Sequence, residues 1–227
     1  FLLLLALTLA SCNAGEPSSE SLETTDHTQL HGLPNMDGYT YADSVNAGII
    51  TEDTLRGSPR RVTSSQIGDN QIRIMYGSPG VRDRVIWGGL VAYDEVWGSG
   101  AHMATKVEFS KAIQVEDVMI PAGAYAFFTI PGRDSWTLIL NSNWDQHLAD
   151  EYSSDIDIVR YVVTPEITDT MTPRLTYRII EHELENQASI VMNWESIQVE
   201  GSSYLLIHEN WEFALLILAL KSNYQLC

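Results

Sequence analysis

Cysteine is nearly absent from this chain: its 227 residues hold two, Cys12 and Cys227. That scarcity excludes a disulfide-stapled scaffold, the usual device of exported domains too small to bury a core. Positive charge is scarce as well, with 13 Lys and Arg against 30 Asp and Glu and a formal net charge of -17. Phosphate backbones are bound by neutralising Lys and Arg, so this balance argues against a nucleic-acid partner. It also argues against lying flat on anionic lipid. No uncharged apolar run reaches the about 20 residues that a membrane-spanning helix needs. Catalytic signatures are missing too. Ser99 lies between Gly98 and Gly100, with the wrong spacing for a nucleophile elbow. No phosphate loop or dinucleotide fingerprint appears. His182-Glu183 opens like the zinc metalloprotease motif, but no second His stands four residues on. His147 and Asp150 could share one side of a helical turn, yet two ligands do not make a metal site. The sequence therefore offers no catalytic set, no metal site and no cofactor.

What is present begins at the N-terminus. Residues 1–11 carry no charge and end in Leu9-Ala10-Ser11-Cys12. An apolar stretch, two small residues and a cysteine resemble the lipobox of bacterial lipoprotein precursors. A run this short suits a signal-peptide core rather than a span. The initiator Met and a basic leader are missing, so the chain is expected to start inside its own signal. Cys12 is then the lipidation site, because only sulfur forms the thioether to diacylglycerol. Two or more acyl chains, palmitate-like, would anchor the protein at about 0.8 kcal/mol per buried methylene. Acylation of Cys12 would leave Cys227 a lone thiol.

Residues 13–57 read as an acidic tether, with eight Asp or Glu, a single Arg56, and Ser, Thr, Gly and Pro at intervals. Such a composition buries too little apolar area to offset the entropy of ordering. Parts of it, such as Tyr39-Thr40-Tyr41 or Ile49-Ile50, could still pack onto a domain edge. The texture changes at Ser58. Short runs with apolar–polar alternation or β-branched and aromatic content follow at residues 71–76, 106–110, 123–130, 135–140, 157–163, 175–180 and 188–194. Turn signals such as Gly68-Asp69-Asn70, Ser78-Pro79-Gly80 and Pro131-Gly132 divide them. This pattern predicts an all-β fold, a single antiparallel β-sandwich, jelly-roll-like or barrel-like, with few short helical turns. One such turn is expected within residues 144–152. The β domain is assigned to residues 58–208. Residues 209–227 form an apolar tail of uncertain role.

A long ordered set of residues carries a further resemblance. It includes Ile86-Trp87-Gly88-Gly89-Leu90-Val91, Tyr93, Trp97, Gly100-Ala101, Ala122-Gly123-Ala124-Tyr125, Ile130-Pro131 and Trp136-Thr137-Leu138-Ile139 with Asn141. Over roughly residues 58–195 the chain resembles domain-of-unknown-function family 2911, common in lipoproteins of Bacteroidetes-type bacteria. The resemblance implies an exported location and brings no established activity. At one stretch the chain departs from the family. Members usually read Trp-Arg-Thr-Gly-Ala-Asn where this chain has Trp97-Gly98-Ser99-Gly100-Ala101-His102. The family's Arg and Asn, its best candidates for polar contacts there, are both missing.

Candidate ligand-binding residues cluster in this stretch. Tyr93, Trp97, Ser99 and His102 occupy a Gly-rich connection between strand signals. Aromatics and a His on a loop can line a ligand cleft. The same residues suit a tight corner whose glycines free the backbone and whose aromatics plug the sandwich end. Trp144, beside Asp145, Gln146 and His147, is the surface candidate for stacking on a sugar ring, whereas Trp136 and Trp194 sit in strand patterns and belong to the core. The expected protein is a lipid-anchored component of the bacterial cell envelope, on the periplasmic face or in the outer membrane. Its partners would be the membrane, through the lipid on Cys12, and an envelope glycan or protein. A non-catalytic binding or interaction module leads; a hydrolase acting on envelope glycans is the alternative.

Overall fold

The computed structural model describes residues 40–182 and 187–201. They belong to the compact unit Gly38–Cys227; the other unit, Phe1–Asp37, lies outside the described residues. Cys12, Cys227 and residues 209–227 also lie outside them.

The fold is all-β and sandwich-like. A six-stranded antiparallel sheet has the order β1-β2-β3-β6-β7-β8. Its strands are β1 Arg60–Ile67, β2 Asn70–Gly77, β3 Thr105–Phe109, β6 Gly123–Ile130, β7 Trp136–Asn141 and β8 Asp157–Val163. Between β3 and β6 the chain makes a small hairpin of β4 Ile113–Val115 and β5 Val118–Ile120. The second layer is a long hairpin, β9 Glu166–Glu181 and β10 Ala188–Gly201. The strands expected from the sequence are all present. Those at 175–180 and 188–194 turn out to be parts of the two longest. β1 and the β4–β5 hairpin carry weaker alternation and do not stand out from the sequence.

Period-two patterning puts Ile72, Ile74, Val107, Phe109, Phe127, Trp136, Leu138 and Leu140 on the inner face of the large sheet. Leu175, Tyr177, Met192, Trp194 and Val199 meet them from the hairpin. β10 departs from regular pairing on either side of Glu195, whose φ of 56° lies in the left-handed region. Such a bulge bends a strand and re-aims its side chains. β6 is buried on both faces. Its Ala126 and Phe128 join Ala104 and Ile139 in a second cluster outside the sheet. Residues of the 143–156 segment cover it, with Tyr152 edge-on to Phe128 at 5.3 Å. This segment forms bends, turns and a single 3₁₀ turn, Ser154–Ile156, in place of the helical turn expected at 144–152.

Composition assigns residues 40–57 to the tether, whereas in the structure they pack on the domain. α1, Tyr41–Asn46, starts with a capping box between Thr40 and Asp43 and buries Ala42 and Val45. Asn46 exchanges side-chain hydrogen bonds with the backbone of Arg174, at 2.9 and 2.8 Å. Arg174 itself is fully buried on β9. A handful of buried contacts outweighs the acidic composition of this stretch, and the domain begins well before Ser58.

Candidate functional site

The long connection from β2 to β3 folds into a corner that crosses the end of the sandwich. Asp94 N–H donates to the Pro131 carbonyl at 2.8 Å. Trp97 exchanges backbone hydrogen bonds with Thr129, at 2.8 and 3.1 Å, pinning the corner to β6. Trp97 stacks on Trp194 at 5.7 Å and meets Trp87 edge-on at 5.8 Å, and Trp87 also meets Trp136 at 4.8 Å. The four indoles close the end of the core. Offset and edge-on aromatic pairs add about 0.5–1.5 kcal/mol each beyond burial.

Ser99 is fully buried. Its hydroxyl lies 3.1 Å from Thr129 Oγ1 and 3.3 Å from the Trp97 carbonyl. Its own carbonyl accepts from Thr105 Oγ1 at 2.9 Å and Tyr177 Oη at 2.7 Å. Burial is also what pushes the Tyr177 phenol far above its usual pKa, since its ionised form would be desolvated. Tyr93 is half-buried elsewhere on the connection, with the Arg133 guanidinium 4.7 Å over its ring. Trp97 and Ser99 thus face inward, and Tyr93 is in neither the core nor the pocket described next.

His102 faces outward. It is exposed, with a φ of 67°, and its carbonyl accepts from Leu148 N–H at 2.9 Å. Trp144, 36 % exposed, comes to the same place from the segment after β7. The two line one pocket of about 170 Å³ on the outer face of the large sheet. Met75 and Ala104 are buried beneath it, and Met103, Lys106 and Asp145 contribute further walls. Arg60 and Ser58 line it from the start of β1. The Lys106 ammonium sits 4.2 Å over the Trp144 ring and donates to Glu108 Oε1 at 2.7 Å, so its position is fixed from two sides.

Of the five sequence candidates, therefore, the structure brings His102 and Trp144 together and leaves Tyr93, Trp97 and Ser99 apart from them. Sequence reading missed Lys106 and Arg60. Lys106 was legible as the outward residue of an alternating strand, between Thr105 and Val107. Arg60 gave no signal beyond its charge, because its neighbours are set by the fold. The close approach that shapes the pocket wall requires Gly77, where a Cβ would fall 2.3 Å from the Ala101 carbonyl oxygen.

Other polar sites are simpler. His147 Nδ1 and Asp150 Oδ2 are 2.9 Å apart on the exposed surface. His182 Nε2 lies 2.6 Å from Ser189 Oγ, and residues 183–186 of that motif are outside the described residues. Among the described residues no three His, Cys, Asp or Glu side chains converge as a metal site would need.

The two positions at which the sequence departs from the pattern it resembles differ in their surroundings. At Gly98, where the resemblance implies Arg, a Cβ would stand 3.1 Å from the Leu148 carbonyl oxygen, so a side chain there would press on the 148 backbone. At His102, where the resemblance implies Asn, the backbone is left-handed, a region that Asn and His both tolerate better than most residues. A family model described as "Protein of unknown function (DUF2911)" matches residues 58–202. No curated protein matches the chain, and neither does any solved structure.

Proposed function

We propose, for a chain that belongs to the DUF2911 family of proteins of unknown function, that it is a lipid-anchored cell-envelope protein whose β domain is a non-catalytic binding module. The observation that carries the binding reading is the pocket that joins His102 and Trp144, 42 residues apart in the chain, to Lys106 and Arg60. Concave sites that mix apolar surface with a few convergent polar groups are the usual form of a ligand site. An exposed tryptophan with a cation fixed on one face supplies both. The anchor reading is supported by the Leu9-Ala10-Ser11-Cys12 sequence. The membrane is then a partner through the lipid on Cys12, and an envelope glycan is the favoured ligand.

The alternative, a hydrolase acting on envelope glycans, needs an acid and a base at reacting distance from one substrate. Glycoside hydrolysis typically uses a pair of carboxylates, and the described lining residues include one, Asp145. That geometry favours retention of a ligand over its cleavage. A glycan array probed with the whole chain carrying Cys12→Ser, followed by a hydrolase panel, tests the choice. Retention without turnover is expected. Turnover that His102→Ala abolishes would replace the module with an enzyme. For the anchor, the protein expressed behind a complete signal should fractionate with membranes and give a lipid-modified Cys12 by mass spectrometry. An unmodified Cys12 in that fraction would sink the anchor.

A further inference from the structure

The pocket's polar groups are of two kinds, and together they narrow the ligand; this step rests on the binding reading above. We infer that the pocket takes one sugar ring bearing a carboxylate, either as a free acid sugar or as one unit of an acidic glycan.

Size limits the ligand first. Sites for drug-sized molecules run to about 300–1,000 Å³, whereas this pocket is about 170 Å³, room for a single ring. Its apolar part comes from Trp144, Met75 and Met103, surfaces suited to the C–H face of a ring. Charge limits it next. In a chain with 13 Lys and Arg against 30 acids, two of the 13 and one His line this pocket. Lys106 has three donors, of which Glu108 takes one while the Trp144 ring faces the ammonium, so at most two remain for a ligand. Arg60 forms no ion pair among the described residues. These cations favour an anion.

The remaining polar groups also constrain the ligand. The Asp145 carboxylate can only accept, and Ser58 offers a hydroxyl. An aliphatic or aromatic acid would satisfy Arg60 and Lys106 but present hydrocarbon to Asp145. A neutral sugar would satisfy Asp145 and accept from the cations but leave the Arg60 charge unpaired. A ring with both hydroxyls and a carboxylate matches both kinds of group.

Calorimetric titration of the whole Cys12→Ser chain with glucuronate, a galacturonate oligomer, glucose and benzoate tests this. Glucuronate should bind at least about tenfold tighter than glucose or benzoate, a difference of about 1.4 kcal/mol. Lys106→Gln should erase the preference over glucose while the thermal midpoint holds; should that variant unfold, the exposed Arg60→Gln serves instead. Tighter binding of the oligomer would assign the ligand to a glycan chain, and equal binding to the free acid. Equal affinity for glucose and glucuronate, or for benzoate and glucuronate, overturns the inference and leaves the binding module standing. Silence of all these probes, with a ligand still captured on the array, does the same. Silence on the array as well removes the module too.

Discussion

The guanidinium of Arg174, fully buried on β9, donates to Asp53 Oδ1 at 2.7 Å, joining the β domain to a segment that composition assigns to a tether. Arg174 also donates to the carbonyls of Leu55, Gly57 and Ser78, at 2.8, 3.2 and 3.1 Å, and lies over the Tyr41 ring. Tyr41 Oη in turn donates to Asp53 Oδ1 at 3.1 Å. A buried cation is tolerable only while its partners stay in place. Removing one partner of such a pair costs about 3–5 kcal/mol, because the remaining charge stays buried and uncompensated. Asp53→Ala is therefore expected to lower unfolding free energy by about that amount in urea titrations. A chain begun at Ser58, where the family match begins, should lose the cooperative transition that a chain begun at Gly38 keeps. An unchanged transition in the shorter chain would show that Arg174 finds other partners.

The corner makes a second demand. Gly77, at the end of β2, lies so close to Ala101 that a Cβ would overlap its carbonyl oxygen. Backbone cannot step aside as a flexible side chain does, so Gly77→Ala must displace the strand end or the corner. Overpacking of this kind costs about 1–3 kcal/mol. Because Gly77 and Ala101 both line the pocket, ligand affinity should fall with stability. A variant as stable as the parent, with the pocket's ligand still bound, would contradict the close approach.

The strands were legible because period-two patterning and turn residues are local signals. β6 and β8 match their expected residues end to end. The site was half legible for the same reason. Residue type marks Trp144 and His102 as surface candidates, but their meeting depends on the bridge between Met103 and His147, a tertiary pairing with no local trace. Ser99 looked like an available hydroxyl in a Gly-rich loop. Its burial follows from Thr105, Thr129 and Tyr177, which come from three different strands. Packing near Tyr41 was legible, but its extent over residues 40–57 was masked by composition, since one buried arginine holds several of their polar groups at once.

Alkaline pH supplies a third expectation. The Tyr152 phenol is pushed up to about 12, first by burial and then by its hydrogen bond to Asp157 and that carboxylate's charge, with Arg160 opposing. Tyr177 is raised further, chiefly by burial, with its hydrogen bonds to Thr105 and Ser99 opposing. A phenol with a raised folded pKa holds its proton more tightly in the native state. Its contribution to stability is therefore complete below the unfolded value near 10 and is lost as pH climbs toward the folded value. Denaturant midpoints should begin to fall above about pH 10. Tyr152→Phe should fall less steeply between there and about 12. Equal slopes for parent and variant would mean that Tyr152 ionises normally.

Two tryptophans should separate core from site. Trp136 is 2 % exposed and in edge-on contact with Trp87, so Trp136→Ala removes a large side chain from a closed cluster. Such truncations cost about 3–5 kcal/mol, and Phe127, 4 % exposed, should behave alike. Trp144 is 36 % exposed on the outer face, and Trp144→Ala should stay within about 1 kcal/mol of the parent while losing the ligand. The comparison needs only thermal unfolding and a binding assay on the same preparations. A Trp144→Ala protein that unfolds like Trp136→Ala would make Trp144 part of the packing.

His102 carries the sharpest test, because its backbone and its side chain make separate demands. The backbone is left-handed, with a φ of 67°, and its carbonyl holds Leu148 N–H. Left-handed geometry costs a residue with a Cβ roughly 1–2 kcal/mol, least for Asn, Asp and His and most for β-branched side chains. The side chain, in contrast, is exposed and lines the pocket. His102→Asn, the residue that the family resemblance places there, should therefore keep stability within about 0.5 kcal/mol and weaken ligand binding. His102→Ala should cost up to about 1 kcal/mol and weaken binding equally. His102→Val should cost more than either, because a branched Cβ crowds the left-handed backbone. Loss of several kcal/mol in His102→Asn would instead mark the imidazole as a structural group. Unchanged binding in both His102→Asn and His102→Ala would remove His102 from the site and leave the pocket to Lys106, Arg60 and Trp144.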